Sequence, residues 1–174
     1  VGCGDEGVWS GESNVCSSDN TYAEADVPKG GCSSYLFIDT FGFSVPAGAT
    51  INGIQVDMER VAQNSGVISD AYVSLHVSGS PAGTDHSVGG TWSTTEYVQS
   101  YGGSADTWSS GYGVNDVNST GFGVVIYVNA GSLSSFAYID QVLINISYTP
   151  GSYTCQSITS GNGNWNAAGS WTSC

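Results

Sequence analysis

Apolar and polar residues alternate with a period of two in several stretches of this chain, and no stretch of useful length has the period of an amphipathic helix. Ile54, Val56 and Met58, for example, are separated by polar side chains. Successive side chains of a β-strand point to opposite faces of a sheet, so the pattern is typical of strands with one buried face. The alternation therefore predicts an all-β fold.

Glycine, proline, serine and asparagine divide the chain into about seven or eight predicted strands. Turns at residues 45–48 and 80–83 combine the fixed φ of proline with the freedom of glycine. The predicted strands are residues 21–27, 35–43, 54–59, 73–77, 96–101, 122–128 and 138–148. Antiparallel strands of this number and length predict two packed sheets, in a jelly-roll-like sandwich.

The 174 residues are enough for one hydrophobic core, and we expect one main domain. The β-sandwich is predicted at residues 19–150, between an extended segment at 1–18 and a tail at 151–174. Each end is too short to form a hydrophobic core of its own, yet both contain tryptophan. A tryptophan ring stabilises a fold only when it is buried against other residues. The side chains expected to dock on the same sandwich or on a neighbouring one are Val8, Trp9, Tyr153, Ile158, Trp165 and Trp171.

Only Lys29 and Arg60 carry a fixed positive charge, against fifteen Asp and Glu, and the formal net charge is -13. Nucleic acids and anionic membrane surfaces are bound through clustered lysine and arginine, so the composition excludes both as partners. The remaining surface is expected to be mostly uncharged and polar, as is usual outside cells. Since the chain starts at Val1 and has no apolar run of about 18 residues, we expect a secreted or cell-surface chain whose export signal has been removed.

Five cysteines lie outside the strongly alternating middle of the chain: Cys3, Cys16, Cys32, Cys155 and Cys174. They lack the close Cys-x-x-Cys spacing of metal and redox sites, and both histidines are distant in sequence, so we expect disulfides that staple the two ends. The preferred pairs are Cys16 with Cys32 and Cys155 with Cys174, which leaves Cys3 over. The sequence leaves the other arrangements open, and the odd cysteine is free or bonded to another chain or segment.

A long irregular region, residues 84–118, is rich in glycine and serine but carries five large aromatic residues. These are Trp92, Tyr97, Tyr101, Trp108 and Tyr112. Exposed rings could stack on sugars as a carbohydrate-binding platform, whereas buried rings would fill the core beneath a long loop. Both interpretations fit the sequence.

The sequence offers no catalytic constellation, and we expect no enzyme. A Ser-His-Asp arrangement needs a positioned histidine, whereas His76 is predicted on the outward face of a strand and His86 in a turn-like loop. Asp39, Asp70, Asp116 and Asp140 lie at apparent strand ends, where carboxylates could bind calcium. Calcium is the one cofactor considered. Because no EF-hand spacing is present, we predict no metal ligand.

Two sequons for N-glycosylation are present, at Asn118 and at Asn145. The strand register predicts that Asn145 points outward, which would leave it accessible to a glycan.

Residues 41–56 resemble a jelly-roll-like β-sandwich module of large prokaryotic secreted, cell-surface and phage-structural proteins. Three later stretches, residues 90–93, 119–124 and 137–142, resemble the same module, so that the resemblance covers roughly residues 19–149. It implies extracellular display without catalysis. Separately, residues 163–171 resemble the start of a repeat unit common in bacterial surface proteins.

These observations predict a secreted structural subunit of an extracellular filament or surface layer. Its partner would be a second copy of itself, joined head to tail when a terminal segment adds as a strand to a neighbouring sheet and disulfides lock the joint. The alternative is a carbohydrate-binding or adhesive module of a larger secreted protein, with surface glycans as partners.

Overall fold

The computed structural model describes residues 6–152, and these residues form strands with very little helix. The strands are β1 (Glu6–Gly7), β2 (Trp9–Ser10), β3 (Ala23–Val27), β4 (Cys32–Ser33), β5 (Leu36–Ile38), β6 (Thr50–Ala62), β7 (Ile68–Val77), β8 (Ser80–Ala82), β9 (Tyr97–Gly103), β10 (Phe122–Ala130) and β11 (Ser135–Thr149). A short 3-10 helix (Glu12–Val15) and α1 (Val114–Val117) complete the elements. Neither the length nor the apolar character needed to cross a bilayer is found in any helix of residues 6–152.

The strands form two packed sheets. The first sheet has the order β1-β4-β10-β7-β8, with β5 also paired to β10, and the second sheet has the order β2-β3-β11-β6-β9. All pairs are antiparallel except β1 with β4, which are parallel. The predicted all-β sandwich of two sheets is therefore confirmed.

Burial follows the pattern that predicted the long strands. In β6 the even-numbered side chains from Ile54 to Ala62 are buried, whereas the odd-numbered ones are partly exposed. Residues 122–126 of β10 are buried on both faces, because β10 lies in the middle of the first sheet. The core between the sheets includes Val56, Met58, Leu75, Ile126 and Ile139, each fully buried.

Some predicted boundaries are wrong, because short or irregular segments have no clear alternation. Strand pairing in the segment predicted at 35–43 ends at Ile38, and single bonds hold the chain beyond it, such as Thr40 N to the Thr120 carbonyl at 2.9 Å. β1, β2, β4 and β8 have only two or three residues each, too few for a periodic pattern to show.

The first residues of the described chain belong to the sandwich itself. β1 pairs with the first sheet and β2 with the second, and Trp9 is only 4% exposed, with its Nε1 donating to the Ser34 carbonyl at 3.0 Å. Val8, by contrast, is 74% exposed. The predicted docking residues Tyr153, Ile158, Trp165 and Trp171 lie outside the described residues, as do Cys3, Cys155 and Cys174.

Candidate functional site

The two long sides of the sandwich differ in how the gap between the sheets is filled. On one side, here called the closed flank, residues 84–108 cross from β7 to β6. Backbone bonds fix this crossing at both sheets: Trp92 N donates to Ile68 O at 2.7 Å, and Ile54 N donates to Asp106 O at 2.8 Å. The opposite side, the open flank, is bordered by β5 and by residues 142–149 of β11.

A buried ion pair lies at the centre of the closed flank. Arg60 is 2% exposed and its Nη1 bonds the fully buried carboxylate of Asp70. The guanidinium carbon lies 4.5 Å from the centre of the Trp92 ring, and Nε donates to the Tyr97 hydroxyl at 3.0 Å. Buried charges are tolerated only when they are paired and hydrogen-bonded, and this pair meets both conditions.

The same carboxylate organises the loop around it. Asp70 accepts hydrogen bonds from Trp92 Nε1 at 2.7 Å, from the Tyr101 hydroxyl at 3.0 Å and from Val88 N at 3.1 Å. Burial, followed by the nearby Asp70 charge, raises the pKa of Tyr101. Because its oxygens are already engaged by Arg60 and these donors, Asp70 is a structural residue and does not fit the calcium role considered above.

Three of the five aromatic residues considered for a carbohydrate platform are buried in the core. Trp92, Tyr101 and Trp108 are 1%, 2% and 0% exposed, so no ring face is open to a sugar. Trp108 Nε1 donates to the Ile54 carbonyl at 2.8 Å, and a side chain at Gly102, where φ is 66°, would collide with that indole. Tyr97 and Tyr112 are half-buried. The aromatic residues of this region fill the core, the second of the two interpretations.

His86 contacts side chains within the loop of residues 84–108. His86 stacks on Trp108 with ring centres 4.0 Å apart, and its Nε2 lies 2.7 Å from an Asp106 oxygen. The neighbouring Thr84 hydroxyl, 3.3 Å from His86 Nδ1, donates to the Trp108 carbonyl at 3.2 Å. Hydrogen bonds from His86 and from Trp108 N lower the pKa of Asp106. These contacts of His86, Thr84 and Asp106 hold residues 84–108 together beside the sandwich.

His76 does face outward from the first sheet, as predicted, but it is fully buried. The Phe37 ring covers it, with ring centres 5.0 Å apart at 84°, and burial lowers its pKa. Phe37 and Tyr35 are 40% and 39% exposed and pack with Tyr72 and Tyr127 in one aromatic cluster on the outer face of the first sheet.

Three carboxylates converge on the outer face of the second sheet. Oxygens of Glu59, Glu96 and Asp140 lie within 4.8 Å of one another, and the pairing of β11 with β6 is irregular at Asp140. Asp140 accepts from the backbone N of Asn20 at 3.0 Å. Burial, and then the charges of Glu59 and Asp140, raise the pKa of Glu96, although a hydrogen bond with Tyr22 acts in the opposite direction.

This acidic cluster offers the oxygen ligands that a hard cation prefers. Of the four calcium candidates considered in the sequence, only Asp140 belongs to it. Asp116 accepts from Gly113 N at 2.9 Å at the start of α1, and Asp39 accepts from the Thr40 hydroxyl at 2.8 Å. Glu59 and Glu96 were considered in the sequence only as members of a larger set of acidic residues that could form a catalytic pair, because their proximity to Asp140 has no local signature.

The two sequon asparagines have different environments, although both are exposed. Asn118 exchanges two hydrogen bonds of 2.8 Å with the backbone of Val45, so its amide nitrogen helps to hold the segment before β6. Asn145 bonds only the Asp57 carboxylate, at 3.2 Å. A glycan on Asn118 would therefore cost a structural contact, whereas one on Asn145 would not.

On the open flank the two sheets part, leaving a groove of about 200 Å³. It is lined by Val15, Cys16, Ile38, Asp39, Thr40, Phe41, Val142 and Leu143. Within the described residues, the pairing of β11 with β3 ends at Ile139, and a single bridge from Cys16 to Gln141 follows. Beyond that bridge, residues 142–149 have β6 on one side and no described strand on the other.

Cys16 carries a free and exposed thiol at the end of this groove. The disulfide predicted between Cys16 and Cys32 is therefore wrong. The two cysteines lie in different sheets. Cys16 forms a bridge with Gln141 of β11 in the second sheet, whereas Cys32 is fully buried in β4 of the first sheet.

Comparison of the chain with protein-family models, with curated proteins and with solved structures finds no match in any of the three.

Proposed function

We propose that this chain is a secreted structural subunit of an extracellular filament or surface layer, which assembles when terminal segments add as strands to a neighbouring sandwich. The observation that carries the proposal is the open flank. Residues 142–149 of β11 and the outer side of β5 are strand edges without a described partner, and an apolar groove lies between them at Ile38, Val142 and Leu143.

Exposed strand edges are templates for pairing with another chain, and monomeric proteins usually protect them with lysine, proline or a covering segment. Here residues 142–149 contain no lysine and no proline, and Leu143 and Tyr148 are 49% and 40% exposed. An added strand would satisfy main-chain groups along this edge and cover these side chains. If the joint does not close into a ring, repeated addition gives an open helical polymer.

The charge of the chain favours this kind of contact over ion pairs. One of the two fixed cations, Arg60, is buried in an ion pair with Asp70 and cannot contact another copy. A second copy with a net charge of -13 can therefore offer little electrostatic attraction. Contacts between copies would have to be apolar, hydrogen-bonded or covalent.

Electron microscopy and sedimentation of the purified full chain test the proposal. We expect polymers at neutral pH and physiological salt, and loss of polymers when residues 153–174 are deleted. Monomers of the full chain under all conditions, or intact polymers from the truncated chain, would contradict it. Thermal melting of both chains serves as the control for folding.

A second function, carbohydrate binding or adhesion, is favoured by one observation. The cluster of Tyr35, Phe37, Tyr72 and Tyr127 leaves two rings about 40% exposed on the outer face of the first sheet. Exposed aromatic faces can stack on sugar rings. Retention on immobilised glycans that is lost in Tyr35→Ala, but kept in the exposed control Val98→Ala, would support this function.

A further inference from the structure

We propose that the groove of the open flank is the acceptor site, and that its occupant is residues 153–159 of a second copy, added as a strand along residues 142–149 of β11. This inference rests on the proposed function and names the partner and the contact that the assembly would use.

The groove has the position that an added strand requires. Its walls come from both sheets, with Ile38 from β5 and Val142 and Leu143 from β11. Val142 lines the groove and is only 3% exposed, and Ile144, the next inward-facing residue of β11, is 8% exposed. The free edge beyond Gln141 spans roughly 25 Å at the usual rise of a strand, which is enough for seven residues.

The closed flank shows how this sandwich is completed when a segment is present. There, residues 84–108 cross between the sheets and insert Trp92 and Trp108, both almost fully buried. On the open flank, residues 39–49 pass from β5 to β6 and Val45 is buried in the core, but a groove remains beside Val142 and Leu143. An added strand would complete it in the same way.

The charge distribution along the sequence identifies the occupant. All fifteen acidic residues and both fixed cations lie at or before Asp140, and the chain after it carries no charged side chain. The acceptor edge at 142–149 and the segment at 153–159 are therefore both uncharged, and Asp39 is the one charged residue in the groove lining. Residues 153–174 lie outside the described structure and are numerous enough to form such a strand, and within 153–159 the apolar Tyr153, Cys155 and Ile158 lie among polar residues.

The path of the chain favours a second copy over the same chain as the donor. Gly151 packs against Gly48, where a side chain would meet the Gly48 carbonyl at 2.6 Å. Gly48 precedes β6, which lies on the side of β11 opposite the free edge. The chain thus leaves β11 on the β6 side, away from the groove.

A cross-linking experiment on the full chain tests the contact. A photoreactive benzoylphenylalanine replaces Ile158, and light and nitrogen-15-labelled chains are mixed before assembly and irradiation. We expect cross-links from position 158 to residues 142–149 or to the groove lining, in pairs of mixed isotope. Cross-links within one isotope only, or to other surfaces, would overturn this inference while polymers persist; the absence of any polymer would overturn the proposed function as well.

A matched pair of variants tests the edge independently. Leu143→Arg places a charge at the groove, and Val98→Arg places one on β9, a terminal strand of the second sheet, where the side chain is 57% exposed. We expect Leu143→Arg to lose polymers and Val98→Arg to keep them, with thermal melting of both monomers near that of the unmodified chain. The reverse pattern would place the contact at β9 and overturn the inference.

Alkylation of the Cys16 thiol gives a third readout without any substitution. Because Cys16 lines the groove, a maleimide should react with it in monomers and react much more slowly in polymers. Equal rates in the two states would overturn the inference.

Discussion

The closed flank and the open flank border the same core but are finished differently. On the closed flank, residues 84–108 fill the gap between the sheets. Asp70 is buried there, pairs with Arg60 and accepts a hydrogen bond from Trp92, whose ring contacts Arg60. On the open flank, the 3-10 helix and β2 and β3 cover part of the gap, and the rest is a groove beside free strand edges. The difference between the flanks is that buried and mutually bonded side chains fill the closed flank, whereas the open flank keeps a groove beside strand edges that have no described partner.

The largest effect is expected where the closed flank depends on its buried carboxylate. Asp70→Ala leaves Arg60 charged and unpaired between the sheets, and should lower the free energy of unfolding by about 3–5 kcal/mol. Urea unfolding followed by tryptophan fluorescence measures this loss. The exposed Asp26→Ala should change it by less than about 0.5 kcal/mol. Equal effects would show that the closed flank is not held by this pair.

A slightly smaller loss in the free energy of unfolding is expected in β2, which covers part of the open flank. Trp9→Ala removes a ring that is 4% exposed and bonded to Ser34, and should cost about 3 kcal/mol in the same measurement. Val8→Ala, at a position 74% exposed, is the control and should be nearly neutral. If Val8→Ala were the costlier change, the placement of the N-terminal strands would be wrong.

The acidic cluster should make stability fall as pH rises. Because the pKa of Glu96 is raised in the folded state, unfolded chains lose this proton first, and the folded state is penalised as pH rises through the unfolded and then the folded pKa. Glu96→Gln should remove a penalty of up to about 1 kcal/mol at pH 7 and have little effect at pH 3. A pH series of urea unfolding curves for both chains would show a flatter profile for the variant; identical profiles would contradict the coupling.

The smallest effect is expected at the contact between His86 and Asp106, and here stability should rise with pH rather than fall. The lowered pKa of Asp106 contributes stability that is present above its unfolded pKa and is lost as pH falls through its folded pKa. Asp106→Asn should cost less than about 1 kcal/mol at pH 6, since the pair is partly exposed, and nothing in strong acid. The same pH series measures it, and a cost that persists in strong acid would point to a cause other than this ionisation.

The long strands could be predicted from the sequence because their burial follows a local period. Arg60 falls in register with Ile54, Val56 and Met58 and is buried as they are, although the predicted strand ends at residue 59. Its partner Asp70 could not be identified, because the contact depends on how β7 packs against β6. The acidic cluster and the cover of Phe37 over His76 also depend on distant strands.

Among the candidate sites, the aromatic region was located correctly, but its choice between platform and core required the three-dimensional structure. Trp92 and Trp108 carry the same sequence signature whether their faces are open or buried. The groove has no signature at all, since Cys16, Ile38 and Val142 come from three distant parts of the chain. Spacing along the chain likewise could not show that Cys16 lies against β11 rather than beside Cys32.

Amide hydrogen exchange of the full chain, compared between monomers and polymers, tests most directly whether the open flank accepts a strand. We expect exchange at residues 142–149 to slow in the polymer, because an added strand bonds the free edge of β11, while exchange in β9 stays unchanged. Unchanged exchange at residues 142–149 in material shown to be polymeric would contradict it.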